Sequence, residues 1–249
     1  MDFKDKVVVV TGGAQGIGHC IVDEFKKAGA HVCVIDKQPG NHFVGDIVDK
    51  QVLERFAREV IEKHGRVDYL INNALPLMKG IDECSYEEFQ YAMSVGVTAP
   101  FYLSKLFSPY FAEGAAIVNI SSSRDRMSQP QTESYTSAKG GIAALTHALA
   151  VSLAGRVRVN SISPGWIDTA YTVYEGPDAT QQPVGRVGNP MDIANIVIAQ
   201  LLVYHTHRGS SLLELLCDAS PDALCTSCHD DYFIFEIHSY LSSLNWNLL

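Results

Sequence analysis

Two side chains four residues apart, Tyr135 and Lys139, could move a proton to or from an alcohol oxygen. Reduction of a carbonyl needs a proton donor at the developing alkoxide, and oxidation of an alcohol needs the same group as a base. A free tyrosine has a pKa near ~10, too high for a base at neutral pH, unless a nearby ammonium group stabilises the phenolate. Because residues i and i+4 share one face of a helix, we expect Lys139 to supply that ammonium group.

The same pair also fits an ordinary amphipathic helix with a lysine whose methylene stem lies along apolar surface. A glycine-rich turn over Thr11–Gly18, directly after the apolar stretch Val7–Val10, favours the chemical interpretation. Glycine permits a tight turn and lets a diphosphate approach the N–H groups at a helix N-terminus, where the partial positive charge lies. The residues of the turn that we expect to contact a dinucleotide are Gly12, Gln15, Gly16, Ile17 and Gly18.

An acidic residue, Asp36, ends the second apolar stretch, eighteen residues after Gly18. At this place a carboxylate can accept hydrogen bonds from both hydroxyls of an adenosine ribose, and it would repel a 2′-phosphate. The alternative role for Asp36 is a solvated turn residue before Pro39. The glycine-rich turn contains no Arg or Lys, and Lys37 is the one nearby cation in the sequence. We therefore expect NAD as the cofactor, with NADP less favoured.

Apolar, strand-like stretches alternate with amphipathic helical ones, which predicts parallel βαβ units. The strand-like stretches are near-continuous Val, Ile and Leu, as expected when helices cover both faces of a sheet. They span Val7–Val10, His31–Ile35, Val67–Ile71, Ala116–Ile120 and Val157–Ile162, with a further short strand over Phe43–Asp46. The predicted helices span Ile17–Ala28, Lys50–His64, Tyr86–Phe111 and Ser134–Ala154. The expected fold is a doubly wound, Rossmann-like α/β sheet in three layers.

These motifs, together with Ser122, resemble the short-chain dehydrogenase/reductase family over roughly residues 5 to 199. The resemblance implies an NAD-dependent oxidoreductase that interconverts a secondary alcohol and a ketone or aldehyde, with Tyr135 as the acid/base. It also implies that Ser122 orients the substrate oxygen and that Lys139 bonds the nicotinamide ribose. Relatives associate through two helices that match Tyr86–Phe111 and Ser134–Ala154, so a homodimer or homotetramer is expected.

The resemblance implies further cofactor contacts, which carry over one position at a time. In addition to Tyr135 and Lys139, the matching positions are Asp46, Ile47, Asn73, Ala74, Pro164, Ile167 and Thr169. In the family these positions lie beside the adenine ring, along the cofactor, and in the turn that holds the nicotinamide carboxamide. Asp46 has an alternative role as the N-cap of the helix that begins near Asp49.

Two positions depart from the family pattern. Leu75 follows Asn-Asn-Ala where relatives usually have glycine, and Gly96 stands where relatives carry an Asn that helps to hold a proton-relaying water. Either the relay differs, or the site turns over slowly, or the glycine admits a kink or an extra water. These departures motivate an alternative function, a nucleotide-binding protein with little turnover that serves as a sensor or a subunit.

The segment Arg124-Asp125-Arg126 follows Ser122, where relatives often have small residues. Two guanidinium groups at the rim of an active site would suit a substrate that carries a carboxylate or a phosphate. A solvated loop is the alternative, and it is the interpretation that we favour.

Composition excludes several other classes of protein. The net charge of −9 argues against a nucleic-acid surface, which needs clustered Lys and Arg. No apolar stretch approaches the ~18 residues needed to span a bilayer. The charged N-terminus lacks the pattern of a signal peptide, and the scattered cysteines suit a reducing compartment. We expect a cytoplasmic protein with a small-molecule substrate, no nucleic acid, no membrane contact and no metal site.

The family resemblance stops near residue 199, and the sequence after it is rich in Ser, Leu, His and Cys. We expect an NAD-binding catalytic domain over residues 1–199 and a divergent, poorly packed tail over 200–249. The tail lacks the Asp-Gly-Gly turn with which relatives end their last strand, as a shifted reading frame or a natural replacement would produce. Its segment Tyr232–Ile237 has high β propensity and could replace that strand. A Cys225-Thr226-Ser227-Cys228-His229 motif spells a haem attachment pattern, which we do not favour without any sign of export.

Overall fold

The computed structural model describes residues 3–170, 185–206 and 236–238, and these ranges contain one parallel sheet. Its strands lie in the order β3-β2-β1-β4-β5-β6-β7. They span Val7–Thr11 (β1), His31–Asp36 (β2), Phe43–Val44 (β3), Val67–Asn72 (β4), Phe111–Ile120 (β5), Val157–Ser163 (β6) and Glu236–His238 (β7). The strand order reverses between β1 and β4, and ligands of open α/β sheets bind beyond the carboxyl ends of the strands at such a point.

Helices cover both faces of the sheet. They span Gly16–Lys27 (α1), Lys50–His64 (α2), Tyr86–Met93 (α3), Ala99–Phe107 (α4), Glu133–Ser152 (α5) and Pro190–Thr206 (α6). One core layer packs α2, α4 and α5 against the sheet, and the other packs α1 and α6 against the opposite face. The predicted doubly wound α/β sheet in three layers is confirmed.

The prediction of a single helix over Tyr86–Phe111 is wrong. A π-helical turn over Ser94–Thr98 separates α3 from α4, and Phe111 already belongs to β5. Pro100 lies in the first turn of α4, and its ring nitrogen cannot donate the hydrogen bond that an unbroken α-helix would give to the carbonyl of Gly96. The backbone shifts register instead, and the N–H of Ala99 donates to the carbonyl of Ser94.

The tail contributes an edge strand to the sheet. Strand β7 pairs in parallel with β6, with Ile237 opposite Ile162. Part of the segment predicted to replace the missing strand therefore occupies that edge. Helix α6 runs past residue 199 and buries Leu201. The cysteine and histidine motif at 225–229 lies outside the described residues, and the domain boundary at 199 stays a prediction.

A buried acidic residue, Asp68, ties the beginnings of two central strands together. Its side chain is 3% exposed and accepts hydrogen bonds from Lys6 Nζ at 3.0 Å and Arg66 Nε at 3.1 Å. The backbone N–H of Val7, at the start of β1, donates to the same carboxylate at 2.9 Å. These contacts fix the end of the sheet opposite to the glycine-rich turn.

Within the described ranges, no helix has both the length and the hydropathy to cross a bilayer. No group of three or more His, Cys, Asp or Glu side chains in those ranges could share a metal ion. Cys20, Cys33 and Cys84 are free thiols, each partly buried.

Candidate active site

The glycine-rich turn has a backbone shape that requires glycine at its critical positions. Gly12 has a φ of +68°, and a Cβ there would lie 2.8 Å from the Cα of Ala74. A Cβ on Gly18 would lie 2.1 Å from the carbonyl oxygen of Gly12. Both distances are too short for a side chain, so the glycines let β1, α1 and the segment after β4 approach one another closely.

The N-terminus of α1, which carries Gly16, Ile17 and Gly18, has no cap from the described part of the chain. Gln15 stands at the N-cap without a side-chain hydrogen bond, and the first turn contains no acidic residue. By contrast, Asp49 caps α2 by accepting from the N–H of Gln51 at 2.8 Å. First-turn N–H groups without an acceptor attract an anion, so this helix end fits the diphosphate of a dinucleotide.

The carboxylate of Asp36 is fixed beside the glycine-rich turn. One oxygen accepts from the N–H of Ala14 and the other from the N–H of Gln38, both at 2.9 Å. Asp36 is buried, which contradicts the alternative of a solvated turn residue. It therefore lies at the end of β2 with its charge directed to the edge where the ribose of a dinucleotide would lie.

The segment after β4 packs against the same turn through Thr11, a residue that the sequence analysis missed. The hydroxyl oxygen of Thr11 accepts from the N–H groups of Asn73 at 3.0 Å and Ala74 at 3.1 Å. The side-chain amide of Asn73 donates in return to the carbonyls of Thr11 at 3.1 Å and Gly12 at 2.9 Å. The only signal for this role in the sequence is a Thr directly before the first glycine of the turn.

Asp46 and Ile47 lie beyond the short strand β3, on the adenine side that the resemblance implies. One oxygen of Asp46 accepts from the N–H of Val48 at 3.2 Å, and the other accepts from the hydroxyl of Tyr91 at 3.0 Å. Burial, helped by this hydrogen bond, raises the pKa of Tyr91 to about 12. The alternative role of Asp46 as a helix N-cap is wrong, because Asp49 caps α2.

The turn that begins at Pro164 closes the other side of the site. The carbonyl of Pro164 accepts from the N–H of Ser123 at 2.8 Å, and Ile167 forms a bridge with Gly188. Thr169 reaches across to the glycine-rich turn, because a Cβ on Gly16 would lie 3.3 Å from its methyl carbon. The residues predicted to contact the diphosphate and those predicted to contact the nicotinamide are therefore adjacent.

Ser122, Tyr135 and Lys139 come together beyond the carboxyl end of β5. The Ser122 hydroxyl lies close enough to the Tyr135 hydroxyl to lower the pKa of that phenol. Lys139 Nζ lies 5.5 Å from the centre of the Tyr135 ring and donates to the carbonyl of Ile120 at 2.6 Å. Ser122 and Lys139 are buried and Tyr135 is partly buried, so the three predicted catalytic side chains meet in a site that is only partly open to solvent.

The charges around Tyr135 differ from the expectation. Burial raises the pKa of the Tyr135 phenol, while the nearby Ser122 hydroxyl and the positive charge of Arg124 lower it. Burial also lowers the pKa of Lys139 to about 8, against the charge of Asp125, which raises it. Arg124 is therefore a second cation beside the phenol, which the sequence did not indicate, and the role of Lys139 stays a prediction.

Gly96 packs directly against the helix that carries Tyr135 and Lys139. It lies in the π-helical turn, and a Cβ on it would lie 2.7 Å from the Cβ of Ala138. Any side chain at this position would push the turn away from α5. Leu75, the other departure, is 74% exposed at the edge of the site.

Comparison with known proteins agrees with this arrangement. Residues 6–179 match the sequence family described as short chain dehydrogenase. An uncharacterized oxidoreductase of Thermotoga maritima is 39% identical over 225 residues, which cover 79% of this chain and 88% of that protein. The L-fucose dehydrogenase of Mus musculus is 34% identical over 221 residues, covering 77% of this chain and 80% of that protein.

The fold agrees as well. The solved structure of an apo SCOR enzyme from Clostridium thermocellum superposes with a TM-score of 0.76 at 36% identity, covering 98% of this chain and 97% of that one. The match includes the glycine-rich turn and the region of Tyr135 and Lys139. The chain belongs to the short-chain dehydrogenase family and is an oxidoreductase of the NAD(P)-dependent class that acts on CH–OH groups.

Proposed function

We propose that this protein is an NAD-dependent dehydrogenase that interconverts a secondary alcohol and a ketone or aldehyde, with Tyr135 as its acid/base. The observation that carries the proposal is that Ser122, Tyr135 and the buried Lys139 meet beyond the carboxyl end of β5, with Lys139 Nζ 5.5 Å from the centre of the Tyr135 ring. A nicotinamide cofactor, when bound, would take a hydride from the alcohol carbon or return one to the carbonyl carbon. The uncapped start of α1 and the carboxylate of Asp36 would hold its diphosphate and its ribose.

Each polar side chain of the site has a distinct role in this proposal. The Ser122 hydroxyl orients the substrate oxygen, and Tyr135 accepts the alcohol proton during oxidation or donates it during reduction. The positive charges of Arg124 and Lys139 stabilise the phenolate that forms. Ser122 and Lys139 are buried, and the lower local dielectric strengthens the electrostatic effect of the lysine.

The preference for NAD over NADP rests on Asp36. Its carboxylate already accepts two backbone N–H groups and is buried, so it cannot turn away from a phosphate on the ribose. A 2′-phosphate would therefore meet a fixed negative charge. The nearby cation that could attract such a phosphate, Lys37, lies over another group, with its Nζ 5.8 Å from the centre of the Tyr91 ring.

Replacing Asp36 with Ala should narrow the difference in affinity between the two cofactors. In the unmodified protein we expect NAD to bind at least about tenfold more tightly than NADP, a difference of about 1.4 kcal/mol. Calorimetric titration of both proteins with both cofactors measures the effect. Asp23→Asn is the matched control, because it removes the same charge from α1 away from the turn. Equal affinities in the unmodified protein would contradict the assignment of Asp36.

The substrate we propose to test first is an aldose. The relative from Mus musculus is named an L-fucose dehydrogenase. In the ring form of such a sugar, carbon 1 carries a hydroxyl that a dehydrogenase can oxidise to a lactone. Reduction of NAD against a panel of aldoses and simple secondary alcohols, and oxidation of NADH against ketones, would show the activity. Turnover of at least one member with NAD is the expected result.

The alternative of a nucleotide-binding protein with little turnover is supported by Gly96, which has no side chain to hold a relaying water. Calorimetric binding of NAD without turnover across the whole panel would favour this alternative. Failure to bind either cofactor would contradict both functions.

We also propose a cytoplasmic homo-oligomer, as a dimer or tetramer built on α4 and α5. The support is the exposure of apolar side chains on these helices and at their ends: Phe101 is 45% exposed and Val151 is 72% exposed. Exposed apolar side chains on neighbouring helices are typical of surfaces that a second subunit covers.

A further inference from the structure

Tyr91 of α3 contacts two charged side chains beside the expected cofactor site, and the proposed chemistry does not use it. Its hydroxyl donates to Asp46 Oδ2 at 3.0 Å. Lys37 Nζ lies 5.8 Å from the centre of its ring, within the range of a cation–π contact. Side chains from the segments that follow β2 and β3 therefore meet on one aromatic residue of a helix far along the chain.

The backbone places Asp46 next to Asp36, the residue that we expect to hold the adenosine ribose. Val44 lies opposite Asp36 in the pairing of β3 with β2. The N–H of Gly45 then donates to the carbonyl of Asp36 at 2.9 Å. Asp46 follows directly, at the same carboxyl edge of the sheet. A base attached to a ribose at Asp36 would therefore lie within reach of the Asp46 carboxylate.

The Asp46 carboxylate has acceptor capacity that the described residues leave unused. A carboxylate offers about four acceptor positions. Oδ1 accepts from the N–H of Val48 at 3.2 Å, and Oδ2 accepts from the hydroxyl of Tyr91. Asp46 is partly exposed, so a ligand can approach it. The 6-amino group of adenine is a donor that such an oxygen accepts, whereas hypoxanthine has at that place a carbonyl oxygen, which a carboxylate repels.

The contact with Tyr91 determines where the remaining acceptor positions of Asp46 point. Asp46 lies just after a two-residue strand, and the bond from the N–H of Val48 is the only other restraint that the described residues place on its carboxylate oxygens. Tyr91 is a firm support, because it packs against the core cluster that contains Ile47. Burial and the hydrogen bond to Asp46 raise the pKa of Tyr91 to about 12, so the phenol keeps its proton and remains a donor.

We propose that Tyr91 is a positioning residue, which holds the Asp46 carboxylate toward the 6-amino group of a bound adenine and so gives the cofactor site its preference for that base. The role rests on the proposed function, since it concerns the cofactor of the same site. A hydrogen bond to a charged group contributes more than one between neutral groups, provided that the two groups are well aligned. Without the Tyr91 hydroxyl, Asp46 should turn toward water, and the preference for adenine should fall.

Tyr91→Phe tests the proposal, because it removes only the hydroxyl and keeps the ring that Lys37 contacts. Calorimetry measures the affinity of each protein for NAD and for nicotinamide hypoxanthine dinucleotide. We expect the unmodified protein to bind NAD at least about tenfold more tightly than the analogue, and Tyr91→Phe to bind it less than about threefold more tightly. Tyr102→Phe is the matched control, because it removes a phenol that donates to Glu54 at 2.6 Å, and it should keep the full preference.

Asp46→Ala shows whether Tyr91 acts through the carboxylate. The Ala variant should itself prefer NAD by less than about threefold, and adding Tyr91→Phe to it should not change that preference further. An effect of Tyr91→Phe on the preference in the Asp46→Ala background would overturn the proposal. An equal loss of affinity for both dinucleotides in Tyr91→Phe would also overturn it, because a purely structural role of the hydroxyl has that result.

The binding measurement requires no turnover. A preference for adenine that depends on Tyr91 in a protein that oxidises no alcohol would support the positioning role and contradict only the proposed catalysis. Equal affinities of the unmodified protein for the two dinucleotides would overturn the positioning role alone, and failure to bind either would overturn both. Circular dichroism checks that Tyr91→Phe folds, and Tyr91→Leu is a second variant. If neither folds, Tyr91 is needed for folding, and the positioning role is likewise overturned.

Discussion

Replacing Tyr135 with Phe is expected to lower kcat by about a thousandfold, within the range that a positioned acid/base contributes. The change removes only the hydroxyl, which lies near Ser122 and would exchange the proton with the substrate oxygen. The aromatic ring and its contact with Lys139 remain, so the affinity for NAD should change by less than about twofold. Steady-state kinetics with the best substrate of the panel and calorimetry with NAD measure the two effects separately.

Tyr102→Phe is the matched control for this experiment. Its hydroxyl donates to the carboxylate of Glu54 on α2, on the outer surface of the fold, and its removal should leave kcat unchanged. Lys139→Ala should lower both the rate and the affinity, because the family resemblance gives it a contact with the nicotinamide ribose as well. A Tyr135→Phe protein that keeps most of its rate would show that another group is the acid/base.

Replacing Asp68 with Ala should produce the largest loss of stability among the substitutions considered for this protein. The change leaves the buried N–H of Val7 and two cations without their shared acceptor. Breaking a fully buried ion pair costs about 3 to 5 kcal/mol. Because Lys6 and Arg66 are 29% and 48% exposed and can regain water, we expect a smaller loss, about 2 to 3 kcal/mol in the free energy of unfolding.

Urea denaturation followed by circular dichroism measures this loss. Asp49→Ala is a useful comparison, since it removes an exposed carboxylate that caps α2, and losing such a cap costs about 1 kcal/mol. A loss at Asp68 no greater than the loss at Asp49 would mean that the contacts at the start of β1 contribute little to stability.

The sheet could be predicted closely from the sequence because its strands are buried on both faces. Continuous apolar stretches such as Val67–Ile71 have no other stable place in a protein of this size, and the observed β4 is longer by one residue. The break between α3 and α4 could not be predicted in the same way. The amphipathic pattern continues through Ser94–Thr98, and a proline in the first turn of a helix, such as Pro100, does not by itself predict a π-helical turn before it. The close packing of Gly96 on Ala138, some forty residues later, has no local signal in the sequence.

Part of the candidate site could likewise be predicted from the sequence, and part of it could not. Some site residues can be recognised from the residues next to them in the sequence. These are the glycine-rich turn, Asp36 and the Tyr135–Lys139 pair. Thr11 and Tyr91 cannot be recognised in this way, because their partners lie far away in the chain, at Asn73 and Asp46. The effect of Arg124 on the Tyr135 phenol could not be predicted either, because it depends on a distance in the folded structure.

The contact between Gly96 and Ala138 restricts the order in which this protein can change during evolution. Introducing Asn at position 96 would place its Cβ 2.7 Å from that of Ala138, so the single substitution would force the π-helical turn away from α5. Changing Ala138 to Gly first would make room, but a glycine inside a helix costs about 1 kcal/mol. Both single steps are therefore unfavourable while the double change need not be. The two positions should behave as an epistatic pair, and a lineage with Gly96 would rarely acquire Asn there by a single substitution.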